Sequence, residues 1–255
     1  MLNYVAHSNL RQLIGSLRTA GETPAGVLSQ EMLSTWPFVT ISRQAGAGGV
    51  SFSRYLAEQL NRRFPEPPEH PWQSFDHELV ERIAADHHLS TELIESLEKT
   101  SHTWISEFFS GLSHSDHSPS ELSVFRRVVQ TERALARAGH VIMVELGGVF
   151  ITRDMPWGVH VRLVAPFEWR VKNLARLENT TETESRQRIT LRDRDRDAFI
   201  AKFWPAQHPL RPDSFHLTLN SSLMSEQDMA QAIIPLIHEH AAMGVRVPAA
   251  MTGRA

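Results

Sequence analysis

The chain has no cysteine, which excludes disulfides, thiolate metal sites and cysteine nucleophiles and fits a reducing compartment. No apolar run approaches the ~18 residues that a bilayer-spanning helix needs. Positive charge is not in surplus either. The 26 Lys and Arg face 29 Asp and Glu, for a formal net charge of −3, so no global basic field draws the chain to nucleic acid or to an anionic membrane. The opening MLNYVAHSNLRQLIG lacks the basic segment, apolar core and cleavage site of a secretory signal, and the expected location is cytoplasmic. No internal repeat is visible. What remains is 255 residues of ordinary globular composition, 41% hydrophobic, enough for one α/β domain with additions or for two small domains.

The strongest local signal runs from Pro37 to Leu56, PFVTISRQAGAGGVSFSRYL. An apolar run (Phe38, Val39, Ile41) leads into a glycine-rich turn (Gly46, Ala47, Gly48, Gly49). A helical pattern follows, with Phe52, Tyr55, Leu56 and Leu60 on one side. Strand, glycine turn and helix start in that order make a phosphate-binding loop, because backbone N–H groups at a helix N-terminus cradle a polyphosphate. The same turn can instead serve only to pack strand closely on helix. Lysine normally follows the last glycine of such loops, and here the chain reads Gly49-Val50-Ser51. Ser51 can offer a hydroxyl to magnesium, and Arg43, just before the turn, can replace the missing cation.

Residues 1–35 carry one amphipathic pattern (Leu10, Leu13, Ile14, Leu17) and a turn-rich GETPAG. They predict a helix on a linker outside the core, acting in homodimerisation or packing on its own domain. Next, SFDHELVERIAADHHL predicts a very short strand ending at Phe75, with Asp76 capping a helix whose Leu79, Ile83 and Ala84 face inward. Residues 101–121, rich in Ser, His and Gly, predict a mobile loop. A long helix from Glu121 to Ala138 should end at Gly139. HVIMVELGG and VHVRLVAP read as central parallel strands buried on both faces. Helices from Phe167 to Asn179 and from about Thr183 come next. FHLTLNSS is the last strand, and SEQDMAQAIIPLIHEH the last helix, capped by Ser225 before a tail frayed from about Ala241. This alternation predicts an open, mostly parallel sheet covered by helices, with ligands outside the carboxyl ends of its strands.

Three constellations can carry chemistry. Glu145, at the end of an apolar strand, can hold a metal or its water shell, or can pair with an arginine at the sheet edge. Arg186, Arg188, Arg192, Arg194 and Arg196 alternate with Asp193, Asp195 and Asp197. On a helix Asp193 shares a face with Arg196, and Arg188 with Arg192. The run is either a solvated, self-paired helix or a lid that brings guanidinium groups onto transferring phosphates. The histidines (His87, His88, His114, His117, His238, His240) lack zinc-motif spacing and cysteine support, and read as surface or loop residues.

Taken together, these stretches resemble the cytidylate kinase-like family, P-loop relatives of the bacterial cytidylate kinases. The family loop I-S-R-x-x-G-S-G-G-R corresponds to Ile41 through Val50. Its D-K-E-L segment looks like Asp76-His77-Glu78-Leu79, and its V-Q-x-E like Val129-Gln130-Thr131-Glu132. The lid pattern D-x-x-R-x-x-Y is similar to Asp193, Arg196 and Phe199, and the closing I-N-T-S to Leu219-Asn220-Ser221-Ser222. The likeness spans about residues 36–240, with the lid at about 177–212, and leaves 241–255 as a tail.

The resemblance implies a three-layer α/β/α fold of the P-loop NTPase type, with a mostly parallel five-stranded sheet and a helical lid. It implies phosphoryl transfer from ATP, with Mg2+, to a nucleoside monophosphate. By that likeness Arg43, Gly46, Ala47, Gly48, Gly49, Val50 and Ser51 hold the donor phosphates, with Arg170 and Arg176 as further donor contacts. Asp76, Gln130, Glu145 and Gly147 belong to the acceptor side, Ser51 and Glu145 to magnesium, and Arg192, Asp193 and Arg196 to the catalytic lid. Two family arginines are replaced: the one after the loop by Val50, and that of G-R-G after the third strand by Leu146. These losses leave a nucleoside monophosphate kinase, a catalytically degenerate nucleotide-binding or regulatory protein of the same fold and, more remotely, a kinase for a different small hydroxylated acceptor.

Overall fold

The computed structural model describes residues 36–63, 71–85, 119–144, 147–208 and 210–244. The expected N-terminal helix, residues 101–118 of the histidine-rich segment, Glu145, Leu146 and the residues after 244 lie outside them, and residues 119–121 of that segment already belong to the helix that follows. Five strands form one parallel sheet in the order β2-β3-β1-β4-β5. They are β1 (Phe38–Arg43), β2 (Gln73–Asp76), β3 (Val141–Val144), β4 (Gly158–Val164) and β5 (Leu217–Asn220). The described helices are α1 (Gly49–Arg63), α2 (His77–Ala85), α3 (Pro119–Ala138), α4 (Gly148–Ile151), α5 (Phe167–Glu178), α6 (Glu182–Phe203) and α7 (Glu226–Gly244). None is long and apolar enough to cross a membrane.

Near-continuous apolar runs become strands covered on both sides. On one face Val39, Ile41, Val159, Val161 and Leu163 meet Phe52, Leu56 and Leu60 of α1 and Ile233 and Ile237 of α7. On the other, Phe38, Val141 and Met143 meet Val80 of α2 and Leu135 of α3. A separate apolar cluster (Phe125, Val129, Phe150, Ile200, Phe203, Trp204) ties α3 and α4 to the C-terminal half of α6. This cluster anchors one end of the arginine-rich helix to the sheet layer.

The helix boundaries follow their caps. Thr181 and Glu184 form a reciprocal capping box at the start of α6, which satisfies two of its otherwise unpaired N–H groups. Ser225 and Asp228 exchange the same bonds ahead of α7. Asn179, in the left-handed conformation, closes α5, and Gly139 (φ 69°) closes α3. Two expectations change. The last helix runs on to Gly244 instead of fraying from Ala241, and the four-residue α4, too short to show periodicity, follows β3.

Away from the carboxyl ends of the strands, three histidines meet. Thr40 Oγ1 lies 2.8 Å from His160 Nδ1, and the His160 N–H donates to His216 Nδ1 at 2.9 Å. The His216 ring packs edge-on against His240 at 5.0 Å. Burial, with help from His216 and His240, pushes His160 from 6.5 down to about 3. The unfolded chain therefore binds the proton that the folded one refuses. Stability is fully present above the unfolded value and falls as pH drops from 6.5 towards 3, by up to about 1.4 kcal/mol per pH unit. Urea unfolding is expected to show a loss of about 2 kcal/mol between about pH 7.5 and about pH 5. His160→Asn should abolish most of that slope, and a flat wild-type profile would contradict this account.

Candidate functional site

The glycine turn leaves β1 at its carboxyl end, and two conformational constraints shape it. Gly46 and Gly48 both have positive φ, 79° and 83°. A Cβ on Gly46 would lie 2.7 Å from the carbonyl oxygen of Arg170, so only glycine fits against α5 there. The turn is also pinned from β4 and α5. The Gln44 N–H donates to Leu163 O at 3.0 Å, and the Ala165 N–H to Gln44 Oε1 at 3.0 Å. Asn173 Nδ2 donates to Gly46 O at 2.8 Å.

Arg170 is the centre of this fastening. Buried to 6% exposure, it donates through Nε to Ala165 O at 3.0 Å and through Nη1 to Ala45 O at 2.9 Å. Nη1 also reaches Asp193 Oδ2 at 2.6 Å, while Asp193 Oδ1 accepts the Ala45 N–H at 2.8 Å. One carboxylate of α6 and one guanidinium of α5 thus hold the loop backbone from both sides. Charge-assisted bonds of this kind position rigidly.

Gly49, the last glycine of the turn, opens α1 with little room for a side chain. A Cβ there would sit 3.0 Å from Arg43 Cγ and 3.3 Å from Val144 Cγ1. The stem of Arg43 therefore crosses the space that a side chain at position 49 would use. Val50 turns away and packs against the core of β1, α1 and α7. The Val50 side chain is thus a packing group, while its backbone N–H stays at the start of α1. Ser51 Oγ donates to Gly48 O at 3.0 Å at the exposed edge of the turn.

Two cavities of about 360 Å3 each flank the loop among the described residues. The first lies beside α6, lined by Arg43, Arg162, Arg194 and Arg196 with Asp193 and Asp197. The second lies at the start of α1, between Gly48 and Ser51 on one side and Trp169, Asn173, Arg176 and Met224 on the other. Burial pushes the Arg196 guanidinium below its ordinary pKa against the opposite pull of Asp193, and Arg192 and Arg170 add to the depression. Across the crevice burial pushes His77 down and Glu81, 3.1 Å from its Nε2, pulls it up. Arg43 and Arg196 lower it further and Asp76 opposes them.

The expected residues therefore separate. Arg43, Gly147, Asp193 and Arg196 line the first cavity; Ala47, Gly48, Ser51 and Arg176 line the second. Gly147 also lies tight against the Trp204 indole, which a Cβ would meet at 2.5 Å. Asp76 ends β2 within 3.9 Å of Arg54. Gln130 is half-buried on α3 and lines neither cavity. Arg192 is drawn to Glu178 at 2.8 Å, beside Arg188 on the same carboxylate, and faces away from both. Most of the arginine run is thus paired across to α5, through Glu168 and Glu178, Arg194 pairs with its neighbour Asp195, and Asp193 and Arg196 face the crevice. Arg162 joins the wall of the first cavity although it is not among the expected residues, and His77 lines neither cavity. Arg162 hides within a strand pattern, and His77 stands where the family motif carries lysine.

The fit of ATP and magnesium differs. The positive-φ glycines and the helix start at Gly49 form an anion-binding concavity, and the second cavity extends from it. For magnesium only the Ser51 hydroxyl stands at the loop, and no three His, Asp or Glu side chains among the described residues gather around a cation position. Magnesium in such sites is held chiefly by phosphate oxygens and water, so this sparse set is compatible with it.

A parallel sheet with a glycine loop at its central strand, clamped to an arginine-bearing helix, defines an α/β protein of the P-loop type. The chain belongs to the cytidylate kinase-like family, whose model matches residues 38–223. No curated protein matches it. Among solved structures, an uncharacterized protein from Eubacterium ventriosum ATCC 27560 shares the fold, with a TM-score of 0.59 at 16% identity over 80% of this chain and 98% of that one. Shikimate kinase from Acinetobacter baumannii in complex with shikimate gives 0.43 at 18% identity, over 83% and 98%. Shikimate kinase from Bacteroides thetaiotaomicron gives 0.40 at 13% identity, over 79% and 98%.

Proposed function

We propose that the chain is a nucleoside monophosphate kinase that transfers a phosphoryl group from ATP, with Mg2+, to a cytidylate-like acceptor. The observation that carries this reading is the pair of unlike cavities on either side of one clamped glycine loop. The cavity at the start of α1 has backbone N–H groups on one wall and Trp169, Leu177 and Met224 on the others, a setting for a donor's phosphates and base. The cavity beside α6 is cationic, a setting for the acceptor.

ATP supplies the phosphoryl group and Mg2+ neutralises charge on it. The residues of this chain bind, orient and shield. N–H groups of Gly48, Gly49, Val50 and Ser51 would hold the donor phosphates and Arg176 would flank them. Arg43 and Arg196 would face the charge that spreads over the transferring group, and Asp193 keeps Arg196 and the loop in register. Transfer of this kind needs position and electrostatics and no covalent intermediate.

The test is a panel of ribo- and deoxyribonucleoside monophosphates with ATP and magnesium, followed by ADP release. Turnover with a pyrimidine monophosphate is the expected result; no ADP with any acceptor would reject the reading. A second reading, a nucleotide-binding protein without turnover, is favoured by Val50, which packs into the core in place of a phosphate-facing cation. Calorimetric ATP binding with no turnover would select it.

A further inference from the structure

Arg162 occupies a position where the surrounding pattern calls for an apolar residue. It lies in the interior of β4, between the buried Val161 and Leu163 and in register with Ser42 of the central strand. It follows the buried His160 along the same face of the sheet. A guanidinium placed there loses hydration, and such loss is offset only by good partners. The partners it has are weak for that purpose. Nη1 donates to Leu210 O at 2.9 Å, and the group lies 5.6 Å from the centre of the Phe215 ring. Neither bears a negative charge, and burial alone, with no carboxylate opposing, lowers the Arg162 pKa.

Of the two carboxylates on the wall of the same cavity, one is fully engaged and the other is 66% exposed. Asp193 accepts from Ala45 and Arg170, and Asp197 lies 2.9 Å from His208 Nε2. Arg196, 22% exposed, has a buried Nη1 with no hydrogen-bond partner among the described residues. Its carboxylate neighbour, Asp193 Oδ1, is 3.7 Å away. Two partly buried guanidiniums thus line one cavity of about 360 Å3, with its less exposed carboxylate, Asp193, already committed to Ala45 and Arg170.

We propose that Arg162 and Arg196 together hold the phosphomonoester of the acceptor, with Arg162 the residue that makes the site select a phosphorylated acceptor over its free alcohol. Planar guanidinium forks match the oxygens of a phosphate and reject a neutral hydroxyl, which leaves them unpaired. The inference rests on the kinase reading for the identity of the acceptor. The anion site itself does not depend on turnover.

The test is calorimetry on the full chain with cytidine monophosphate, cytidine, inorganic phosphate and ATP as separate probes. The wild type is expected to bind the monophosphate at least ~10-fold more tightly than cytidine, and Arg162→Met to erase that preference, with ATP affinity kept within about twofold. Arg162→Lys should keep part of the preference, because a point charge replaces the fork. If Arg162 served only to anchor Leu210 and Phe215, Arg162→Met would lower the melting temperature and weaken all ligands alike, and the proposal would fall. It would fall equally if Arg162→Met or Arg162→Lys kept the full wild-type preference, or if the wild type bound neither monophosphate nor phosphate. Arg162-dependent phosphate binding without ATP turnover would leave this site standing and reject the kinase reading.

Discussion

Arg170→Met is expected to lower folding stability by about 3–5 kcal/mol, the cost of breaking a buried ion pair by removing one partner. For a domain of this size that corresponds to a melting temperature lower by roughly 6–20 °C. The reason lies in what the guanidinium holds. Arg170 is 6% exposed and satisfies the carbonyls of Ala45 and Ala165 as well as the Asp193 carboxylate. Methionine fills much of the volume but leaves two buried carbonyls and a charged oxygen without their donor. Asp193→Asn should cost less, since its Oδ1 can still accept the Ala45 N–H, although its amide then opposes the guanidinium of Arg170. Thermal unfolding of both variants and of the double variant gives the coupling between the two residues. A shift below about 2 °C for Arg170→Met would show that the clamp is not a stability element. ATP affinity should fall in parallel with stability, because the pair fixes the loop backbone before any ligand arrives.

The second large effect concerns Arg43 and its neighbour Gly49. On the kinase reading, Gly49→Lys is expected to lower turnover, because its Cβ would meet Arg43 Cγ at 3.0 Å and Val144 Cγ1 at 3.3 Å. Arg43→Ala alone should lower kcat by about 10²–10³, the range seen when one donor to a developing charge is removed. The double variant Arg43→Ala/Gly49→Lys removes the crossing stem and supplies a cation from the neighbouring position, so it should recover part of that loss. Steady-state kinetics of the three variants decide the matter. If Gly49→Lys alone raised kcat, then Arg43 would not be the substitute cation. If the double variant were no better than Arg43→Ala, a cation from position 49 would not reach the same charge.

The backbone plan was legible from local pattern. Runs such as Val141–Val144 are apolar on both faces because the central strands are covered twice. Gly139, Asn179, Thr181 and Ser225 mark helix ends through short-range chemistry that sequence carries intact. The spacing of Asp193 and Arg196 put them on one face, where the structure has them 3.7 Å apart. The glycine loop could be read for the same reason, since strand, turn and helix start are contiguous.

Partnership across the sheet could not be read in this way. Nothing in the spacing of Arg170 and Ala45, 125 positions apart, says that one fastens the other; only the parallel register of β1 and β4 brings them together. Arg188 and Arg192 look as eligible for a phosphate as Arg196, yet Glu178 of the preceding helix takes both. Val50 sits in the loop motif, but its half-buried side chain packs against the core. Arg162 is unremarkable within VHVRLVAP until Leu210 and Phe215 close over it beside Arg196.

The sequence by itself determined the order of strands and helices, the loop and the lid face, because hydrophobic period and capping act over a few residues. Tertiary structure alone decided which cations meet the crevice and which are neutralised, because a guanidinium's fate depends on the carboxylate or carbonyl that folding places beside it.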